Sequence, residues 1–384
     1  PEYWQRVEER VGRSPSALRL ILPESCLEGP SVETDIMEVN NTMSRYLREG
    51  RFQEYPNALI YVERTLDSGK VRRGLVGVVA LEQYDYEPGT ACAVRATEGV
   101  VLSRIPPRVA VRKNAPIELP HAILLSDCGD IVAPLASRTG EMEPLYDFEL
   151  MEGGGYVKGW LLTQEQQEQT ARAIRARKEW ADRERGGLLF VAGDGNHSLA
   201  AAKECYERRK EMTDPSRWHE LPSRYALCEL VDLSDNGVDF EPIHRVVFGV
   251  KPEELLDALM KYCPSAVRGR EEGHVLPFVI SRWSQGEITV TKPAANLPVD
   301  TLQRFLDDYT AAHPKARVDY IHGEAEARAL AEEREDAVAF LLPRPRWPEL
   351  FDAVVRDGLL PRKTFSIGRA KDKRFYLEAR KIRK

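Results

Sequence analysis

Apolar residues recur with two different rhythms along the first third of the chain. Ile36, Val39, Met43 and Leu47 follow one another at three- and four-residue steps, which predicts a helix over 32–50. Residues 59–64 and 75–81 read as strands, and Leu66-Asp67-Ser68-Gly69-Lys70 between them predicts a hairpin turn. Residues 19–22 read as a short strand stopped by Pro23. Pro106, Pro107, Pro116 and Pro120 are expected to divide the next stretch into loops and short strands, before a strand over 121–125. Gly153-Gly154-Gly155 predicts a turn whose return strand is 156–162. It lacks the Lys-Ser/Thr ending that would make it a P-loop. Thr163 then caps a polar, Gln- and Arg-rich helix that runs to Arg185.

In the second half, a strand over 187–192 leads through a tight loop at 193–198 into a helix over 199–210. A strand over 224–233 follows, then a turn at Asp235-Asn236-Gly237 and a strand over 244–250. Beyond it, helices at 253–262, 299–309 and 324–333 are interspersed with strands at 274–282, 287–291, 318–321 and 337–342. The expected fold class is α+β, with mixed sheets and flanking helices rather than a βαβ series.

Composition changes this picture only at the margins. With 42% hydrophobic and 30% charged residues the chain reads as an ordinary folded protein. Apolar runs such as 188–192 are too short to span a bilayer. Six scattered cysteines form no C-x-x-C pair, which argues against a cysteine-based zinc site and fits a reduced, cytoplasmic setting. A net charge of −6 argues against a nucleic-acid binder. The stretch 362–384 carries ten Lys or Arg against Asp372 and Glu378, and ends at Lys384. These charges are expected to flank an edge strand at Arg374-Phe375-Tyr376-Leu377 and keep it soluble. His121, His219, His274, His313 and His322 show no metal-ligand spacing. The chain opens Pro1-Glu2-Tyr3-Trp4 without an initiator Met, as a truncated or processed product would.

The candidate chemistry sits in Gly193-Asp194-Gly195-Asn196-His197-Ser198, between an apolar strand and a helix. The first amides of a helix lack internal partners and the helix dipole is positive there, so a phosphate is the natural guest. Asp194 can take a proton from a hydroxyl or hold a metal ion, and His197 can donate to an anion or move a proton. Turn residues and a helix cap explain the same letters equally well. Gly193-x-Gly195-x-x-Ser198 also approaches a dinucleotide fingerprint, but the acidic residue expected about 20 positions on is missing from a strand end.

The segment 188–198, ending Gly193-Asp194-Gly195-Asn196-His197-Ser198, resembles the D-G-H-H-R signature of the unknown-function domain family numbered 1015. Other stretches resemble that family in the same order. They are Val71-Arg72-Arg73-Gly74-Leu75-Val76-Gly77 with Tyr84, Arg95-Ala96-Thr97-Glu98, Pro242-Ile243-His244-Arg245, Tyr320-Ile321-His322, and Leu360-Pro361-Arg362-Lys363-Thr364-Phe365. Asn196 stands where the family has its first His, and Ser198 where it has Arg. Family members usually begin with a further strand, and this chain starts after the point where that strand should end.

The resemblance implies a ParB/sulfiredoxin-like core related to free serine kinases. It divides the chain into an N-terminal α+β lobe (1–165), a nucleotide-binding core (166–250) and a C-terminal α+β lobe (251–384). It implies a nucleotide-dependent phosphotransferase that uses ATP or ADP with Mg²⁺ on a small hydroxyl-bearing metabolite such as free serine. Asp194, His197 and Glu98 are then the catalytic candidates. Gly193, Asp194, Gly195, Asn196, His197, Ser198, His244 and Arg245 would bind nucleotide, and Arg95, Thr97 and Glu98 substrate. Lys363 and Thr364 would reach toward the cleft. The alternative is a non-catalytic regulator that binds a nucleotide or metabolite. A sulfiredoxin-like reductase would need a cysteine where Asn196 stands.

Overall fold

The computed structural model describes residues 2–23, 26–27, 30–119, 122–235, 237–238, 240–368, 372 and 375–383. Pro1, Pro120, His121, Asn236, Arg374 and Lys384, which figure in the sequence reading, lie outside them. The chain forms two compact units, residues 1–238 with 369–384, and residues 239–368.

The first unit is built on the expected hairpin. Strands β1 (Ile60–Thr65) and β2 (Val71–Ala80) pair antiparallel across the turn at 66–70, which is closed by Leu66 N donating to Lys70 O at 2.8 Å. The other strands of this unit are β3 (Tyr84–Asp85), β4 (Val94–Ala96), β5 (Ile117–Glu118), β6 (Ala122–Ser126), β7 (Glu143–Glu149), β8 (Tyr156–Leu161), β9 (Phe190–Asp194) and β10 (Tyr225–Asp232). Nine of these described strands make one mixed sheet in the order β3-β4-β9-β6-β10-β2-β1-β8-β7. The triple glycine turns β7 into β8 as expected. Gly155 sits at φ +85°, and a Cβ there would lie 2.0 Å from Thr65 O, so no other residue fits without moving the backbone.

Among the described residues five helices belong to this unit: α1 (Glu2–Val11), α2 (Val32–Arg48), α3 (Ile105–Arg112), α4 (Gln164–Glu184) and α5 (Asn196–Glu211). α4 begins with a complete capping box between Thr163 and Gln166. α5 buries two faces. Leu199, Ala202 and Tyr206 join the sheet's core with Leu75, Leu124 and Phe190, while Ala200, Ala201 and Cys205 meet Ile105 and Val109 of α3. The small alanines let both neighbours come close.

Four local expectations are corrected. Residues 17–20 form a 3₁₀ turn, not a strand, because Ser16 Oγ accepts from Leu18 N at 3.1 Å and winds the backbone locally. Pro106 and Pro107 open α3 rather than break the chain there, since the first helical positions need no amide donor. Residues 375–377 are not a strand. The strand near this terminus is Arg380–Lys381, which pairs with β5. Finally, α5 starts at Asn196, three residues earlier than expected, because Gly195 at φ +84° completes the reversal by itself.

The second unit is an antiparallel sheet. Its strands are β11 (Phe240–Phe248), β12 (Ala266–Arg268), β13 (His274–Ser281), β14 (Ser284–Val290), β15 (Arg317–His322), β16 (Ala337–Phe340) and β17 (Phe365–Ile367). Six run in the order β12-β14-β13-β16-β11-β15, and β17 pairs with β11. The helices α6 (Pro252–Tyr262), α7 (Pro298–Ala312), α8 (Glu324–Glu332) and α9 (Trp347–Asp357) accompany it. Ala327 and Ala331 of α8 share a core with Val246, Val279 and Ala339. Of the strands in the stretch 166–250, β9 and β10 stand in the first sheet and β11 in the second. No helix among the described residues is long and apolar enough to cross a membrane.

Candidate functional site

The glycine loop lies where β9 runs into α5. β9 pairs with β6 through an irregularity. Ile123 faces Asp194 and Leu124 faces Ala192, so Gly193 is the extra residue of a bulge. Bulges of this kind re-aim the side chains beside them, and Asp194 lines a cavity of about 180 Å³ together with Gly195 and Ser198. Asp194 Oδ1 accepts from Gly195 N at 2.8 Å. Gly195 is the N-cap of α5, and no side chain caps the helix. A Cβ on Gly195 would stand 3.0 Å from Ala122, and the left-handed backbone adds its own strain.

The other loop residues serve different partners. Asn196 Nδ2 donates to Ala192 O at 3.3 Å and to Thr97 Oγ1 at 3.4 Å. Thr97 is buried and its hydroxyl donates to Ala192 O at 2.8 Å. His197 Nε2 accepts from Val101 N at 3.0 Å, so the ring is turned to the segment after β4. Arg95 Nε donates to Cys92 O at 2.9 Å and Nη2 to Gly186 O at 2.6 Å, and burial lowers its pKa. Glu98 is half-buried in the segment after β4. Thr97, Asn196 and His197 thus bind the end of β9 and the loop to their surroundings, Arg95 bonds away from the loop, and Asp194, Gly195 and Ser198 face the cavity.

His244 and Arg245 belong to the second unit. His244 is buried, its Nδ1 accepts from Leu342 N at 3.1 Å, and burial lowers its pKa. The Arg245 guanidinium is fully buried. It donates to Gln303 Oε1 at 3.0 Å and to the carbonyls of Ile243, Lys363 and Arg362, and lies over the Tyr320 ring. Thr364 Oγ1 donates to Pro361 O at 2.6 Å.

The cavity's strongest charges come from residues outside the candidate loop and outside the candidate site residues. Arg64 and Arg72, 8% and 5% exposed, face one another across the hairpin in register. Like charges directly opposite destabilise a sheet, and here oxygen atoms compensate. Asp372 O accepts from Arg64 Nη1 at 2.6 Å and from Arg72 Nη1 at 3.4 Å, and Phe375 O accepts from Arg64 Nη2 at 3.2 Å. Glu229 of β10, 4% exposed, stands 3.5 Å from Arg72 Nε, which makes no hydrogen bond of its own. Gly74 leaves the space for Glu229, since a Cβ there would lie 2.3 Å from its Oε1. Glu378 also lines the cavity and accepts from the Tyr146 hydroxyl.

Burial and the neighbouring Arg72 lower the pKa of Arg64. Burial, then Glu378, raise that of Tyr146. Burial, then Asp194, raise that of Tyr376. Two guanidiniums therefore meet three carboxylates around one small space beside a helix N-terminus. That lining suits a guest carrying charges of both signs, or a phosphate arriving with a cation. Among the described residues no three His, Cys, Asp or Glu side chains form a metal cage. A Mg²⁺ ion fits only in the manner usual for phosphate sites, on one or two carboxylates with phosphate oxygens completing its shell, and Asp194 is placed for that.

The hairpin itself carried a signal for the missed pair. A turn over 66–70 puts residues 64 and 72 opposite one another, and both are arginine. Glu229 and Glu378 had no such signal, being distant in sequence from the loop.

Among solved structures the chain is similar to a free serine kinase variant in complex with AMP, at 10% identity and a TM-score of 0.43, covering 80% of this chain and 92% of that one. It is similar to a conserved hypothetical protein from Pyrococcus furiosus, at 12% identity and a TM-score of 0.41, covering 80% and 95%. It is also similar to SbnI with a C-terminal truncation from Staphylococcus aureus, at 9% identity and a TM-score of 0.40, covering 77% and 83%. No curated protein matches it. Residues 1–309 match the family described as Protein of unknown function (DUF1015), and the chain belongs to that family.

Proposed function

We propose that this chain is a nucleotide-dependent phosphotransferase, built on a ParB/sulfiredoxin-like core and acting on a small hydroxyl-bearing metabolite in the cytoplasm. The observation that carries the reading is the 180 Å³ cavity in which Asp194 and the uncapped start of α5 meet the buried Arg64–Arg72 pair. The volume suits a small acceptor. The mixed charges suit one that carries its own, with an anionic group toward the arginines and a cationic group toward Glu229 and Glu378.

The donor is ATP or ADP. Its terminal phosphate takes the amides at the start of α5, where the helix dipole favours it, and Mg²⁺, bound through Asp194 and phosphate oxygens, would neutralise part of its charge. The acceptor oxygen attacks the terminal phosphorus, and the bond from that phosphorus to the bridging oxygen breaks. The nucleotide leaves with one phosphate fewer, and the acceptor's proton passes to the Asp194 carboxylate. Positioning and charge neutralisation supply most of the acceleration in such transfers.

The second reading, a regulator that binds nucleotide without turning it over, is favoured by one observation. Asn196 and His197 spend their side chains on Ala192 and Val101, and Ser198 has no guanidinium with which to clamp a phosphate. Phosphorus NMR of ATP or ADP with Mg²⁺ and a panel of hydroxyl acceptors, free serine first, separates the two. Turnover that falls at least ~100-fold in Asp194→Asn, at unchanged melting temperature, is expected. Nucleotide binding without any product supports the regulator, and the absence of binding removes both.

A further inference from the structure

A second and much larger cavity lies in the same unit. It measures about 1090 Å³, at the upper end of the range of small-molecule sites. It touches α1, the 3₁₀ turn at 17–20, α2, α3 and the β7–β8 turn. Ser198, Phe375, Tyr376 and Leu377 line both this chamber and the charged cavity, so one wall separates them.

The chamber's character differs from its neighbour's. Apolar side chains, most of them branched or aromatic, such as Val7, Leu20, Leu22, Trp4 and Phe148, dominate its surface. Four of its charged groups form ion pairs with one another. Arg112 bonds Glu118, and Arg10 stands 3.7 Å from Glu152, which also binds Arg6 at 2.9 Å. A guest there gains mainly by leaving water, roughly in proportion to the apolar area it buries.

We propose that this chamber binds a second ligand, an organic molecule with an aromatic or branched aliphatic body, whose polar end is directed at Ser198 and the charged cavity. The apolar lining and the internal pairing of charges select the body. The shared wall gives the direction, because it holds Ser198 at the helix start, with the Arg64–Arg72 pair of the charged cavity beyond it, where a negative end is favoured. The chamber is distinct from the phosphotransfer site and stands or falls without it.

The test uses 1-anilinonaphthalene-8-sulfonate, a fused aromatic body with one sulfonate, titrated into the full chain. One bound probe per chain is expected. Leu18→Trp combined with Val111→Trp narrows the chamber from two sides and should weaken probe binding at least tenfold, with nucleotide affinity unchanged. Trp4→Phe leaves the chamber open but removes a donor beside the probe, so energy transfer from tryptophan should drop at unchanged affinity. That measurement decides the matter if the filled variant does not fold. Absence of stoichiometric binding, or affinity unaltered by filling together with transfer unaltered in Trp4→Phe, overturns the proposal. Probe binding that behaves as expected in a protein that binds no nucleotide upholds the chamber and rejects only the phosphotransferase.

Discussion

Asp232 should make the first unit less stable as the solution becomes more alkaline. It closes β10 at 2% exposure, and its Oδ2 accepts from Val132 N at 3.3 Å and Ala133 N at 3.4 Å, while Oδ1 makes no hydrogen bond. Burial outweighs those two amides, and its pKa rises from 3.8 to about 6. A raised carboxyl pKa means that between these values the folded chain keeps a proton which the unfolded chain has released. Stability from this group is therefore fully present below pH 3.8 and is lost as pH rises through 6. A shift of about two units corresponds to about 3 kcal/mol. Asp232→Asn keeps a carbonyl acceptor for both amides and cannot ionise. At pH 7.5 it should be more stable than the parent by up to about 3 kcal/mol, or about 6 °C in melting temperature for a unit of this size. At pH 4 the two should melt together. Thermal unfolding of both proteins at pH 4, 5, 6 and 7.5 measures this, since all other titrations cancel in the difference. A gap that does not change with pH, or a parent that is the more stable at pH 7.5, would refute the reasoning.

Arg72→Met should cost about 3–5 kcal/mol, because it removes the guanidinium that stands 3.5 Å from the buried Glu229 carboxylate, and adding Glu229→Gln should recover most of that in urea unfolding. An equal loss in the double variant would show that the pair is not what matters. Gly74→Ala places a methyl group on the Glu229 carboxylate and should destabilise by about 1–3 kcal/mol. The same variant should weaken ligand binding in the charged cavity, which calorimetry would report. Thr163→Ala removes half of the α4 capping box, at a cost of about 1 kcal/mol, with faster hydrogen exchange at the Gln166 amide as the local sign.

Much of the fold was legible because its rules are local. The β1–β2 hairpin, the glycine turn before β8, the capping box of α4 and the spacing of α2 each depend on a few neighbouring residues, and each stands where the pattern put it. The misreadings are also local. Pro106 and Pro107 carry the same letters whether they stop a chain or start a helix, and only α5 packed behind α3 decides which. α1 and α9 were not read at all, although both are amphipathic helices with apolar residues at helical spacing.

The candidate site divides in the same way. A glycine-flanked acid between an apolar strand and a helix was recognisable from adjacent residues, and Asp194, Gly195 and Ser198 do line a cavity. Which loop side chains face that cavity was not recognisable. A helix turns about 100° per residue, so at the start of α5 Asn196 and His197 are carried toward Thr97 and Val101 while Ser198 faces the cavity. The amino-acid sequence by itself determined the β1–β2 hairpin, the glycine turn before β8, the capped start of α4 and the strand-to-helix junction at 193–198, since backbone chemistry acts over a few residues. The hairpin sets Arg64 opposite Arg72 locally, but only the tertiary structure decided that this pair, Glu229 and Glu378 would surround the cavity at that junction. Glu229 comes from the neighbouring β10 and Glu378 from the chain's far terminus, and no local interaction links either to the hairpin before the sheet has formed.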